Sequence, residues 1–311
     1  MPTVKKQIKF TGVGIHSGLP VNMVIKPSKE MGIFFHRTDI PNNKILALFS
    51  NVGDTKMRNT TIGKLDGAHV KTIEHLMAAL FIAGVDSAII DIDGPETPIL
   101  DGSAIEFYNA IADGGVTAGK LKKVVVRKPV MVTAREAMRQ VSFFTRMKIS
   151  IMNLLSGRKL DGFVKLSPSD NGGLNICATL VYKEKIIGKQ SFSYSCYGDE
   201  KSVKEFVKNI ARARTFGKYS EWEYLKAHGM ARGANENNII ALNDTGDATL
   251  NKVFWPDEFV RHKIIDAIGD MFTSGGFVVG NLESYKGSHA MNNMVLKKLF
   301  SNPNNYDIID A

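Results

Sequence analysis

An amphipathic helix pattern that ends on glycine and hands over to an apolar strand occurs twice in this 311-residue chain, and that recurrence constrains the fold more than any other feature. From Thr72 to Ala83 the apolar residues Ile73, Leu76, Met77 and Leu80 fall on one helix face, Gly84 ends the pattern, and Ala88 to Ile92 reads as a strand. Near the C-terminus Pro256 suits a first helical turn. Val260, Ile264, Ile268 and Met271 then line a face up to Gly275-Gly276 and the strand Phe277 to Val279. The order helix, glycine, strand repeated in this way suggests an internal duplication. The length predicts about two domains, each large enough to close a core. The short polar stretch from Gly114-Gly115 to Lys123, with three lysines, is the candidate linker, which divides the chain into residues 1–115 and 124–311.

Other segments fit an α/β chain. Gln7 to Pro27 alternates like a hairpin around the Gly-rich turn Thr11 to Gly18. Val124 to Val126, Leu174 to Leu180 and Phe192 to Tyr194 read as strands. Between Ala137 and Arg158 there is no acidic residue, and Met138, Val141, Phe144, Met147, Ile151 and Leu154 keep helical spacing beside Arg139, Arg146, Lys148 and Arg158. That basic amphipathic pattern suits an anionic membrane surface or a partner groove. The alternative is an insertion that only packs on its own domain or is poorly ordered.

Composition excludes several classes. With 44% hydrophobic and 23% charged residues the chain is of ordinary globular type. Its two cysteines, Cys177 and Cys196, form neither a disulfide framework nor a CxxC site, so a reducing, cytoplasmic setting is expected. The basic N-terminus is not followed by an apolar run of signal-peptide length, and no stretch reaches the ~18 uncharged apolar residues of a membrane span. The net charge of +9 admits nucleic acid, an anionic membrane surface or a phosphorylated small molecule as partner. Phe163, Phe192 and Tyr194 sit in apolar alternations instead of basic stacking platforms, which argues against nucleic acid.

The chemistry concentrates in Asp257 to Asp270. His262, Asp266 and Asp270 form a row at i, i+4 and i+8, away from the apolar row of Val260, Ile264 and Ile268. An imidazole and a carboxylate one turn apart can share a cation, whereas a lone HxxxD is commonly a solvated face. Glu74-His75, at the start of the other helix, supplies a second imidazole, with Glu74 directed to a different side. Two histidines and an aspartate make a three-ligand zinc site with a position open to water. Glu74 could then take a proton from that water, and His289, steadied by Asp270, could protonate a departing amine. His36, His69 and His228 lack such a context and read as structural or surface residues; His16, in the Gly-rich turn, stays open.

These residues resemble those of the UDP-3-O-acyl-N-acetylglucosamine deacetylases, zinc amidases of the lipid A pathway. The resemblance covers nearly the whole length and rests on six ordered motifs: Gly12 to Gly18, Thr72 to Leu76, Gly94 to Ser103, Ala213 to Gly217, Asp257 to Asp270, and Ser288 to Asn293. It implies an α+β fold of two similar domains, each a small sheet packed with helices in a duplicated β-α-α-β sandwich, and an active site in the cleft between them. It also implies one zinc ion per chain on His75, His262 and Asp266, with Glu74 as general base and His289 as general acid oriented by Asp270. Thr215 and Lys263 would stabilise the oxyanion, Phe216 would meet the sugar or acyl region, and Lys286 would lie near the diphosphate. The stretch from Ala227 to Asp244 would help form a passage for the 3-hydroxyacyl chain. The implied reaction releases acetate from the UDP-linked acyl-glucosamine and leaves a free 2-amine.

The chain departs from the family pattern at the 137–158 insertion, at Lys218 where an aromatic usually follows Arg-Thr-Phe-Gly, and at Arg58-Asn59 before Thr60-Thr61. Those changes bear on the acyl passage and keep a related metallo-amidase with another acylated substrate in view. A basic nucleic-acid-binding α/β protein is the alternative from a different class. No obligate protein partner is expected. Because the chain ends at Ala311 soon after Asn293, neither is a fused second enzyme.

Overall fold

The structure, a computed structural model, describes residues 1–41, 43–53, 59–64, 67–140, 160–227 and 229–310. Most of the basic amphipathic stretch, together with Arg58 and His228, lies outside these residues.

The N-terminal half follows the alternation read from its sequence. Strands β1 (Ile8–Val13) and β2 (Pro20–Pro27) form an antiparallel hairpin that pairs Ile8 with Ile25 and Val13 with Pro20. The intervening turn closes through Gly14 N–H to the Leu19 carbonyl at 3.0 Å, and Gly18 takes a φ of +66°. Next come β3 (Gly32–Arg37), the short β4 (Ile45–Leu46), a small hairpin of β5 (Ile62–Gly63) and β6 (His69–Val70), helix α1 (Glu74–Ile82), β7 (Ser87–Ile92) and α2 (Ile105–Gly114). The sheet order is β1-β2-β7-β3-β4, with β7 antiparallel to β2 and parallel to β3.

Past Gly115, at φ +75°, the chain enters the second sheet. Its elements are β8 (Lys123–Val126), β9 (Val130–Thr133), α3 (Ala134–Arg139), β10 (Phe163–Ser167), β11 (Leu174–Val181), β12 (Lys189–Cys196) and α4 (Glu200–Asn209). They continue with β13 (Phe216–Lys218), α5 (Tyr219–Ala227), β14 (Ile240–Leu242), α6 (Glu258–Phe272), β15 (Phe277–Tyr285), α7 (His289–Phe300) and β16 (Tyr306–Ile309). The main path is β12-β11-β15-β10-β9, with β8 joining β15 to β16. The expected repeat is visible as α1, Gly84 and β7 against α6, Gly275-Gly276 and β15. Pro256 precedes α6 instead of entering its first turn; Asp257 is the capping residue.

The repeated helices are more buried than one-sided amphipathic patterns suggest. All nine residues of α1 are buried, as are all of α6 except Arg261 and Lys263, so the polar row on α6 is not a solvated face. The two helices pack on each other. Phe81 meets Phe272 edge-on at 5.4 Å and stacks on Phe277 at 4.1 Å. A Cβ at Gly269 would lie 2.0 Å from the Glu74 carbonyl oxygen, so glycine lets α6 approach the start of α1 backbone to backbone. One apolar cluster runs from Val4 through to Leu299, so the two sheets share a core instead of each closing its own.

Helix α3 begins the basic segment with a capping box, in which Thr133 Oγ1 accepts from Glu136 N–H at 3.2 Å and Glu136 accepts from Thr133 N–H at 2.8 Å. Among the described residues, no helix is long and apolar enough to cross a membrane.

Candidate active site

The site begins where α1 begins. Two residues before Glu74, Thr72 holds a φ of +59°, a left-handed conformation that needs support from its surroundings in a β-branched residue. Its hydroxyl donates to Glu96 Oε1 at 2.8 Å and accepts from Asn59 Nδ2 at 3.1 Å, while its carbonyl accepts from the Thr97 hydroxyl. Glu96 is fully buried and also accepts the backbone N–H groups of His16 at 3.1 Å and Ser17 at 2.9 Å. One carboxylate thus pins the Gly-rich turn and the entry to α1 together. A Cβ at Gly14 would sit 2.4 Å from Glu96 Oε2, which explains the glycine there.

Helix α1 then delivers His75 to α6. His75 Nε2 lies 3.7 Å and His262 Nε2 3.4 Å from Asp266 Oδ1, and one donor atom from each of the three residues lies within 4.8 Å of the others. The Nδ1–H of His262 donates to the Ala213 carbonyl at 3.0 Å, which turns Nε2 toward Asp266 as a lone pair. Asp266 Oδ2 accepts from Lys263 Nζ at 2.6 Å, but buried Oδ1 has no hydrogen-bond partner among the described residues. An unpartnered buried carboxylate oxygen facing two imidazole nitrogens fits a cation. Burial lowers the His262 pKa to about 3, leaving the neutral ring that a metal ligand must be. For Asp266, burial favours the protonated form, but the Lys263 ammonium and neighbouring imidazoles outweigh it and hold the carboxyl well below its ordinary range.

A second pair of groups flanks this donor set. Glu74 Oε1 lies 3.8 Å from His289 Nε2, and Glu74 Oε2 accepts Thr60 N–H at 3.0 Å. Glu74 and His75, adjacent on α1 and so directed to different sides of the helix, both line one cavity at the point where α6 and α7 converge. His289 Nδ1–H donates to Asp270 Oδ2 at 2.8 Å, and Asn292 Nδ2 donates to the same oxygen at 2.8 Å. Burial raises the Glu74 pKa against the opposing pull of His289 and His75. Burial acts to lower that of His289, but the carboxylates of Asp270, Glu74 and Asp266 outweigh it and push the value up to about 9. A carboxyl and an imidazole, both shifted upward, thus stand side by side next to the donor set.

A cavity opens over these groups. Away from the donor set its lining includes an apolar group, Ile15, Ile99, Trp222, Leu225, Ala231 and Ile239, beside the polar Lys218 and Glu221. Ala231 and Ile239 come from the 227–244 stretch expected to line a passage. A second cleft shares Thr215, Phe216, Lys263 and His289 with it and adds Tyr182 and Ser288. Phe216 packs edge-on against Phe259 at 5.0 Å, with Lys263 Nζ 5.7 Å from its ring centre. Lys218 lines both spaces and pairs with Glu184 at 3.3 Å, so its charge is compensated. Lys286 lines neither; its ammonium pairs with Asp161 at 2.7 Å. His16 lines the cavity, whereas His36 bonds to Asp91 and His69 to the Gly67 carbonyl.

Local patterns did not single out Thr60, Asn292, Glu96 or the Ala213 carbonyl. Asn292 stands one helical turn after His289 and could have been read from that spacing. Thr60 meets Asp270 across 210 residues of sequence, for which no local signal exists.

A doubled sheet-and-helix fold with a buried two-histidine, one-carboxylate donor set beside a further carboxyl and imidazole has the groups of a metal-binding hydrolase. The chain belongs to the UDP-3-O-acyl N-acetylglycosamine deacetylase family, whose sequence model matches residues 1–301. It is 37% identical over 310 residues to the UDP-3-O-acyl-N-acetylglucosamine deacetylase of a Nitratiruptor species, covering 99% of this chain and 93% of that one. The protein of the same name from a Geobacter species is 36% identical, with 99% and 91% covered. That of Neisseria meningitidis serogroup C is 34% identical, with 99% and 92% covered.

Proposed function

We propose that the chain hydrolyses the N-acetyl group of UDP-3-O-(3-hydroxyacyl)-N-acetylglucosamine in lipid A biosynthesis, with one zinc ion held by His75, His262 and Asp266. The observation that carries this reading is the approach of both imidazoles to the unpartnered Asp266 Oδ1 beside Glu74 and His289. When bound, such an ion polarises a carbonyl oxygen and acidifies water.

The remaining work falls to the chain's own side chains. Glu74 accepts a proton from the attacking water as its oxygen adds to the acetyl carbon. His289 gives its Nε2 proton to the amide nitrogen as the C–N bond breaks, so that acetate and a free amine leave. Asp270 fixes the ring through Nδ1 and favours its charged form. Thr215 and Lys263 stand beside the donor set as candidates to steady the developing oxyanion, where a single donor can be worth about 10²–10³ in rate. The apolar walls take the acyl chain, at roughly 0.8 kcal/mol per buried CH₂. Phe216, which lines both spaces, would meet the sugar or acyl region. Lys286 could reach a diphosphate only by leaving Asp161. In this reading the halves 1–115 and 124–311 act as two domains around one cleft.

The test is to incubate the purified protein with the UDP-sugar while measuring acetate, the free amine and bound metal per chain. One zinc and equimolar products are expected. A chain that holds no divalent ion, or a substrate that stays intact, refutes the proposal.

A further inference from the structure

The proposed base and acid come from different halves of the chain: Glu74 opens α1, whereas Asp270 and His289 stand on α6 and α7. Thr60, just ahead of β5 and only 2% exposed, touches all three. Its backbone N–H donates to Glu74 Oε2 at 3.0 Å, its hydroxyl donates to Asp270 Oδ1, and the same oxygen lies 3.2 Å from His289 Nδ1. The two Asp270 oxygens divide their partners: Oδ2 takes His289 and Asn292, and Oδ1 takes the Thr60 hydroxyl. The hydroxyl has a single proton, which goes to the carboxylate, and its lone pair faces the imidazole N–H.

We infer that Thr60 is a positioning residue that fixes the base relative to the acid and its carboxylate across the boundary between the halves. The inference rests on the roles proposed above for Glu74, Asp270 and His289. Proton transfer needs donor and acceptor placed to within a fraction of an ångström, and a displacement of about 1 Å can cost about 10²-fold in rate. Without the hydroxyl, Asp270 Oδ1 is a buried carboxylate oxygen with no donor among the described residues, and the imidazole that the carboxylate orients is free to shift.

Thr60→Val keeps the branched shape and the backbone bond to Glu74 while deleting only the hydroxyl; Thr60→Ser restores it. For both, kcat and KM for acetate release, metal per chain and the thermal midpoint are measured beside Glu74→Ala and His289→Ala. Thr60→Val is expected to lose about tenfold to a hundredfold in kcat, with KM and bound metal close to the parent. Thr60→Ser should recover to within about threefold. In an Asp270→Ala background Thr60→Val should lower kcat little further, because residues acting as a unit are not additive.

Parental turnover in Thr60→Val beside crippled Glu74→Ala and His289→Ala overturns the inference alone. So does a kcat loss that tracks loss of metal and that serine fails to rescue. Full turnover in Glu74→Ala or His289→Ala overturns the role assignment, and the inference with it. Should Thr60→Val not fold, Thr60→Ala is read in the same assays.

Discussion

His75 on α1 and His262 on α6 meet edge to face, their ring centroids 4.9 Å apart with 80° between the planes. The Asp266 carboxylate lies within 3.7 Å of both Nε2 atoms, so a cation there bonds both sheets' helices at once. A ligand that binds only the folded chain adds stability by mass action, about 4 kcal/mol at a thousandfold excess over its dissociation constant. Stripping the ion with a chelator should lower the thermal midpoint and abolish acetate release, with both restored by added zinc. Equal midpoints with and without chelator would show that the halves are held by the core alone.

His262→Ala and Glu74→Ala should separate. The first removes a donor, and the protein should lose its metal and its turnover together. The second leaves all three donors in place, so metal content should stay near one per chain while kcat falls by about 10²–10⁴-fold, the usual contribution of a positioned general base. Metal analysis beside turnover checks the pair. Metal loss in Glu74→Ala would make that carboxylate a ligand.

Gly269→Ala tests the helix crossing. The added methyl carbon would stand 2.0 Å from the Glu74 carbonyl oxygen, a backbone atom that cannot swing aside, so α6 has to move off α1. Overpacking of this kind costs about 1–3 kcal/mol. Urea denaturation should show a lowered midpoint, and kcat should fall with it because the same crossing sets Glu74 and His75 against Asp266. Parental values for both would mean that the helices can separate freely.

Glu96→Ala should loosen the Gly-rich turn. It leaves the N–H groups of His16 and Ser17 and the Thr72 hydroxyl without their acceptor, at about 1–3 kcal/mol for each donor left buried and unsatisfied. Because Ile15 and His16 line the cavity, KM for the acylated substrate should rise along with the drop in thermal midpoint. An unchanged KM would show that the turn is held by other contacts.

The periodicity of α1, β7, α6 and β15 was legible because spacing along a chain dictates which residues share a face. The hairpin around Gly14 and Gly18 was legible for the same local reason. Burial was not. The row of His262, Asp266 and Asp270 could equally have faced solvent, and only the packing of α6 under α1 and α7 decided the matter. The resemblance supplied the roles of Thr215, Phe216 and Lys286; of these, the structure brings Thr215 and Phe216 to the cavity, while Lys286 lies apart, paired with Asp161.

The sequence by itself determined the donor types and their pairing within a turn, since His262 and Asp266 at i, i+4 follow from helix geometry. Tertiary structure alone decided that His75 joins them, through a crossing that a side chain at position 269 would block. It also gave two residues of one type opposite proton states. Burial lowers the His262 pKa to about 3, whereas three carboxylates drawn from α1 and α6 push that of His289 up to about 9. Those carboxylates act through space, and the distances that govern their field exist only once the two halves have packed.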